Sequence, residues 1–369
     1  MKYLVMILMS VLTLALMIGA IIFVSNRFAL YFPVLSYKKW LWIMGSVLVL
    51  MMVGQAFSVS PNIAGRFISN FSSIASAVVF YLFISAVAIE LLSLLFHFAP
   101  VYRGIMSLSL TAIILVYGIF NAYSLKVNQI TIPVEGLTKE VNAVHITDIH
   151  LGNFRGEDYL DKIVDKINEL HPNVVFNTGD QFDSKAHFSD NKILQAYKRL
   201  TVPHYFVYGN HDVYVGVEEV VARMKATGAV VLQNEVSNFG ELQIVGLNNM
   251  PQDSKTFDMH ATPGDETIES VMAKLPINES RPTIVLHHRP EGVEYMSARK
   301  ADLLLSGHTH GGQAFPITYI AKLMFKYNSG LYKFNNMSIY VSNGAGSIFA
   351  PLRLGTGSEI TLIKLIPKK

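Results

Sequence analysis

The stretch Ser306-Gly307-His308-Thr309-His310-Gly311-Gly312-Gln313 stands directly after the apolar run Leu303-Leu304-Leu305. A short apolar run bounded by glycines reads as a buried strand and the loop that leaves it. His308 and His310 are two residues apart, so on an extended segment both imidazoles reach the same side. The flanking glycines permit tight turns that a Cβ would resist. One short loop can therefore offer two imidazoles to neighbouring metal ions.

Other strand ends carry the same kinds of residue. The strand at 141–147 ends in Asp148-Ile149-His150. That at 173–178 ends in Gly179-Asp180, with Asp183 three residues on. The strand at 204–208 ends in Gly209-Asn210-His211-Asp212, and that at 283–286 in His287-His288-Arg289-Pro290. In open α/β sheets, ligands bind outside the carboxyl ends of the strands. Any one of these ends alone is an ordinary turn; the ordered set of five is a shared site. Carboxylate, imidazole and amide oxygen suit divalent first-row metals such as Mn, Fe or Zn. The chain has no cysteine, which excludes thiolate metal sites, disulfides and a cysteine nucleophile.

Helices alternate with the early strands. Leu160, Ile163, Ile167 and Leu170 recur at helical spacing, predicting a helix over 158–170 that Pro172 ends; a second is expected at 216–227. Further strands are expected at 241–247, 338–342 and 359–365, and 248–282 reads as loop-rich. The pattern argues for an α/β core with added antiparallel pairing late in the chain.

The first third is different. Half of the 369 residues are hydrophobic (51%) and only 15% are charged, but residues 1–125 hold six Lys/Arg and a single acid, Glu90. Apolar stretches at about 3–25, 40–59, 71–96 and 104–125 are each long enough to span a bilayer core. The expected organisation is a transmembrane domain of about four spans over 1–125, a linker at 126–140 and a catalytic domain at 141–369. Four spans put both termini on one side, with Lys2, Arg66 and Lys126; Arg27, Lys38, Lys39 and Arg103 fall on the other. The positive-inside tendency then leans the soluble part to the extracytoplasmic side. Glu90 is read as a paired carboxylate near a helix end, beside the alternative of a functional intramembrane acid. The remainder is close to neutral, which argues against a nucleic-acid partner.

The set D-x-H, GDxxD, GNHD, HHRP and GHTHGGQ resembles the calcineurin-like metallophosphoesterase superfamily over roughly 140–365. It is closest to the bacterial membrane-associated branch that also carries a block like 341–365, "VSNGAGSIFAPLRLGTGSEITLIKL". The resemblance implies an α/β fold, a four-layer αββα sandwich of two mixed sheets, here with the N-terminal helical bundle. It implies two divalent metal ions. Asp148, His150, Asp180 and His310 would hold the first; Asp180, Asn210, His288 and His308 would hold the second, with Asp180 bridging. The H-x-P spacing selects His288 over His287. His211 would act on the substrate phosphate or leaving group, with Asp212 orienting it. Arg155 and Arg289 are candidates for phosphate contact or for ion pairs, and Asp183 for stabilising its loop. His145, His171, His187, His204 and His260 match no motif position.

The implied reaction is direct attack by a metal-bridging hydroxide on a phosphodiester or pyrophosphate, with no phospho-enzyme. Some members of this branch, and relatives of it, act on phospholipid-like or nucleotide-sugar lipid substrates, so the resemblance implies a phosphoester or pyrophosphate substrate that can be lipid-linked, with membrane lipids as partners. The alternative is a metal-binding scaffold or regulatory module coupled to a membrane sensor or transporter. The stretch 314–337 mixes large apolar residues with Lys322, Lys326 and Lys333. That composition suits an interfacial segment on anionic lipid, and also a cap over the domain.

Overall fold

A computed structural model of the chain describes residues 2–57, 62–185, 192–256 and 264–368. The chain divides into two compact units, 1–120 and 121–369. The first consists of helices α1 (Lys2–Tyr31), α2 (Tyr37–Ala56), α3 (Ile63–Phe96) and most of α4 (Pro100–Tyr123). All four are long and apolar enough to cross a membrane. Helix α3 starts well before the expected 71, because the Asn62 side chain accepts the Gly65 N–H at 2.7 Å and caps it there. Glu90 is a paired charge. Its Oε1 accepts from the Tyr31 hydroxyl at 2.6 Å, and Oε2 lies 3.3 Å from Arg103 and 3.6 Å from Arg27.

The second unit opens with strands β1 (Lys126–Val134) and β2 (Val141–Ile146), then helix α5 (Glu157–Glu169) and β3 (Val174–Asn177). Strand β4 (His204–Phe206), helix α6 (Asn210–Ala226) and strands β5 (Val230–Val231), β6 (Glu235–Phe239) and β7 (Leu242–Gly246) follow. Next come α7 (Ile268–Lys274), β8 (Thr283–Leu286), α8 (Val293–Ala298), β9 (Leu303–Ser306) and α9 (Ile317–Met324). The last strands are β10 (Gly330–Phe334), β11 (Met337–Val341) and β12 (Glu359–Pro367).

These strands build two six-stranded mixed sheets, ordered β1-β12-β2-β3-β4-β5 and β10-β11-β9-β8-β7-β6. Strand alternation sorts their side chains. Ala143, Phe176, Ile284, Leu286, Leu303 and Leu305 fill the space between the sheets. Val144, Ile146 and Val175 point the other way, onto Leu160, Ile163 and Ile167 of α5. On the far sheet, Val285 and Leu304 meet Ile268, Met272 and Met296 of α7 and α8. The result is helix, sheet, sheet, helix: the expected four-layer α/β sandwich.

Residues 126–140 are not a linker throughout. Strand β1 pairs in parallel with β12 from Lys126↔Glu359 to Val134↔Pro367. Only Ile132 and Val134 of β1 are buried, so the strand lacks a clear alternating pattern. Pro133 sits in it because an edge strand tolerates a missing donor. The stretch read as loop-rich contains α7 and otherwise lies partly outside the described residues, as do His187 and His260.

Candidate metal centre

Strands β2, β3 and β4 run parallel in one sheet, and β7, β8 and β9 run parallel in the other. Their carboxyl ends form one rim, where the polar residues after β2, β3, β4, β8 and β9 meet. Asp148, Asp180, His288 and His310 are all buried there. His310 Nε2 lies 3.3 Å from Asp148 Oδ1 and 3.1 Å from His150 Nε2. His150 Nε2 is 3.8 Å from Asp180 Oδ2, and His288 Nε2 is 3.2 Å from the same oxygen. His308 Nδ1 lies 2.9 Å from Asn210 Oδ1, while its backbone N–H donates to the Asp148 carboxylate. Two triads, Asp148–His150–His310 and Asp148–Asp180–His288, are each compact enough to hold a metal ion. Asp148 thus stands between the two halves alongside Asp180, the residue expected to bridge.

The backbone explains how turns on separate strands aim at one point. Asp148, His150, Asp180, His308 and His310 have φ of 52°, 52°, 51°, 72° and 51°. Non-glycine residues rarely adopt this left-handed region, and such strain gathers at functional sites. Close approach does the rest. A Cβ on Gly307 would stand 2.0 Å from Asp148 Oδ2, and one on Gly344 2.6 Å from the Asp148 Cβ.

The electrostatics favour positive charge on two imidazoles of the cluster, whereas burial lowers the pKa of His310 to about 3. Burial works against the charged form of His288, but Asp180 and Asp148 overcome it and lift its pKa to about 9. Burial likewise opposes protonation of His150, and Asp148, Asp183 and Asp180 raise it to about 10. Burial works against the Asp148 anion too, yet His310, His150 and His288 hold its carboxyl well below the usual range. His288 Nδ1 stands 2.9 Å from the Thr178 carbonyl, which orients the ring so that Nε2 faces Asp180.

His287 faces away from the cluster, with Nδ1 on the Arg289 carbonyl at 2.6 Å; burial lowers its pKa to about 3. Asp212 does not orient His211. Its carboxylate accepts the N–H groups of Gln181, Phe182 and Gly209. The carboxylate on His211 is Asp183, whose Oδ1 lies 2.9 Å from His211 Nδ1 and 3.4 Å from His150 Nδ1. The reason is helical geometry: His211 and Asp212 are successive residues at the start of α6, and successive side chains on a helix diverge by about 100°. Arg155 and Arg289 are fully enclosed and make no phosphate-facing surface. Arg155 stacks on Tyr123 and Tyr159 and donates to Ser347, while Arg289 donates to the Met250 carbonyl. His145 is packed, with Nε2 2.8 Å from Thr178 Oγ1.

Arg353 was not legible as a site residue. It is buried, its Nη2 lies 3.1 Å from His310 Nδ1, and it donates to the Asn343, Gly344 and Gly346 carbonyls. In the sequence it is the one arginine of the 341–365 block, in a long stretch without acids, and nothing there points it at His310.

Residues 141–312 match the family described as calcineurin-like phosphoesterase. An uncharacterized metallophosphoesterase of Campylobacter jejuni is 31% identical over 269 residues, covering 72% of this chain and 70% of that protein. One of Helicobacter pylori is 32% identical over 250 residues, covering 66% of this chain and 64% of its own. A "transmembrane protein with metallophosphoesterase domain" from Danio rerio is 32% identical over 283 residues, covering 71% and 62%. The matches thus span between 62% and 70% of these relatives' lengths. Two mixed sheets with Asp, His and Asn gathered at their shared rim are what such kinship requires, and the chain belongs to the calcineurin-like metallophosphoesterases.

Proposed function

We propose that the chain is a membrane-tethered, dinuclear-metal phosphoesterase that hydrolyses a phosphodiester or pyrophosphate bond. A lipid-linked or nucleotide-sugar lipid substrate is the class that the four apolar helices favour. The observation that carries the reading is the convergence of residues from five strand ends, far apart in sequence, into one buried cluster of carboxylates and imidazoles. The donor set fits divalent cations. His288 Nε2 is buried with Asp180 Oδ2 3.2 Å away, and the carboxylates of Asp180 and Asp148 favour a positive charge on it. A proton there occupies the place a cation would take.

Asp148, His150, Asp180 and His310 would hold one cation; Asp180, Asn210, His288 and His308 would hold the second. Bound cations of this kind lower the pKa of water and polarise phosphoryl oxygens. The chain's own residues supply the rest. Asp183 holds His211 by Nδ1, which leaves Nε2 free to stabilise charge on the leaving oxygen or to donate a proton to it. Asp212 fixes the turns that carry Asp180 and Asn210. The soluble unit stands on the extracytoplasmic side of a multi-pass protein in this reading, on the weight of Arg27, Lys38, Lys39 and Arg103.

The test uses the full chain in detergent or proteoliposomes, loaded with manganese, with bis-p-nitrophenyl phosphate as a general diester and a membrane lipid extract as the source of natural substrate. Hydrolysis should require metal and vanish in Asp180→Ala. A scaffold would bind metal and leave both substrates intact.

A further inference from the structure

Helix α9 leaves the metal site with its apolar side outward. Thr318 and Ala321 are buried, whereas Leu323 is 88% exposed, Tyr319 62% and Ile320 53%. Phe349, 63% exposed, belongs to the loop that Gln313 fastens through Ile348. A contiguous apolar face on a soluble domain marks a contact surface.

Two observations identify its occupant. The first is charge. No Asp or Glu stands between Asp302 and Glu359, while Lys322, Lys326 and Lys333 do, all exposed. Such a face is complementary to an anionic surface. The second is the way the chain enters the domain. Lys126 pairs with Glu359, and Thr361 pairs with His145 in the antiparallel register of β12 and β2. The chain therefore enters at the rim where β2 ends, which is the rim of the metal site. Just before it, the Asn121 side chain donates to the carbonyls of Arg353 and Thr356, and Leu354 accepts the N–H of Phe315 at the start of the α9 segment. Residue 121 directly follows a stretch of α4 apolar enough to span a bilayer.

We infer that the exposed face of α9, with Phe349, docks in the headgroup region of an anionic bilayer. This lays the metal-site rim against the lipid surface. The segment that follows α9, with Phe325 and Lys326, lines a cavity of about 310 Å³ together with Pro290, Glu291 and Glu294. The Phe325 ring lies 5.9 Å from the His308 ring, so a headgroup at α9 is next to the site. The inference rests on the membrane reading of α1–α4 and is independent of the hydrolytic one.

The absence of native cysteine makes the test direct. Full-length protein carrying Leu323→Cys or Ile320→Cys is labelled with an environment-sensitive fluorophore and reconstituted in phosphatidylcholine–phosphatidylglycerol vesicles. Ile113→Cys in α4 is the membrane control, and Glu169→Cys, at the opposite end of the strands, the aqueous control. Labels at 323 and 320 should shift to the blue and lose intensity with brominated acyl chains, more so as the anionic lipid fraction rises. The label at 169 should respond only to aqueous iodide. If the 113 label is quenched by lipid while 323 and 320 behave as 169 does, docking is refuted and the membrane reading survives. If 113 also escapes lipid quenching, both fall. Disulfide cross-linking of two Leu323→Cys chains to each other, without lipid quenching, would overturn the inference in favour of a second copy of the chain.

Discussion

Asp212→Ala separates a scaffold for the site from a participant in its chemistry. The Asp212 carboxylate is fully buried. Oδ1 accepts from Gln181 at 3.0 Å and from Phe182 at 3.2 Å, and Oδ2 accepts from Gly209 at 2.9 Å. Burial, and then the charge of Asp180, raise its pKa to about 7, while the N–H groups of Gly209 and Phe182, and then the charge of His288, favour the anion. Removing the carboxylate leaves three backbone donors without an acceptor. Each such loss costs about 1–3 kcal/mol, and neighbouring losses do not add fully, so about 4 kcal/mol is expected in total. At roughly 2–4 °C per kcal/mol for a domain of this size, the melting temperature should fall by about 8–16 °C. Asp212→Asn keeps the Oδ1 partners, loses one acceptor and should cost about 1–3 kcal/mol. Calorimetry or pulse proteolysis of the full chain is the suitable assay, because both tryptophans, Trp40 and Trp42, lie in α2 of the first unit. Asp212→Asn should keep the wild-type shape of the pH–rate profile. A shifted profile with an Asp212→Ala melting temperature within about 2 °C of wild type would refute the reasoning and restore a role in orienting His211.

Asp180→Ala should lose at least one of two metal equivalents in elemental analysis and lower diester hydrolysis by more than about 100-fold, the loss seen for mere supporting partners of a metal site; a variant retaining both metals and turnover would contradict the site. Gly307→Ala should weaken metal binding by roughly 10–100-fold in a metal titration, since its Cβ would stand 2.0 Å from Asp148 Oδ2 and displace that carboxylate. Burial holds both His145 and His204 down at about 3, against about 6.5 in the unfolded chain. The unfolded state therefore binds protons that the fold refuses, and stability should fall as pH drops below about 6.5, by up to about 1.4 kcal/mol per pH unit for each histidine. His204→Phe, which keeps a ring packed against Tyr197, should flatten that slope in melting curves taken from pH 7 to pH 5.

What the sequence discloses depends on how local its cause is. The strands leading to Asp148, Asp180, Asn210, His288 and His308 are short, apolar and closed by polar residues, so the rim they form can be read from their endings. The four apolar helices are legible from length alone. Strand β1 is not, because only its last turn of residues is buried and its pairing is with a strand more than two hundred residues away. The exchange of roles between Asp183 and Asp212 is invisible for a related reason. Asp212 adjoins His211 in sequence, but the first turn of α6 separates their side chains, while Asp183 reaches His211 from another loop. Arg353 reaches His310 from a loop beyond β11, and nothing in its neighbours' composition announces that contact.

The left-handed residues of the site show how the fold sustains such an arrangement. Each non-glycine residue at positive φ costs on the order of 1–3 kcal/mol, and five of the candidate donors adopt it. Hydrogen bonds between loops hold them there. Asp148 N–H donates to the Gly179 carbonyl at 2.9 Å, His150 N–H to Asp180 at 3.1 Å and Gly346 N–H to Asp148 at 2.6 Å. The loop after β2 is thus pinned on one side by the loop after β3 and on the other by the loop after β11. None of these turns keeps its conformation by local preference, so the donors are fixed only when the two sheets are assembled together. Cations entering such a rim would meet ligands already in place, and little ordering would remain to oppose their binding. The same mutual support makes the rim fail as a unit, which is why a carboxylate such as Asp212, which ties two of these loops and is not among the candidate donors, matters to it.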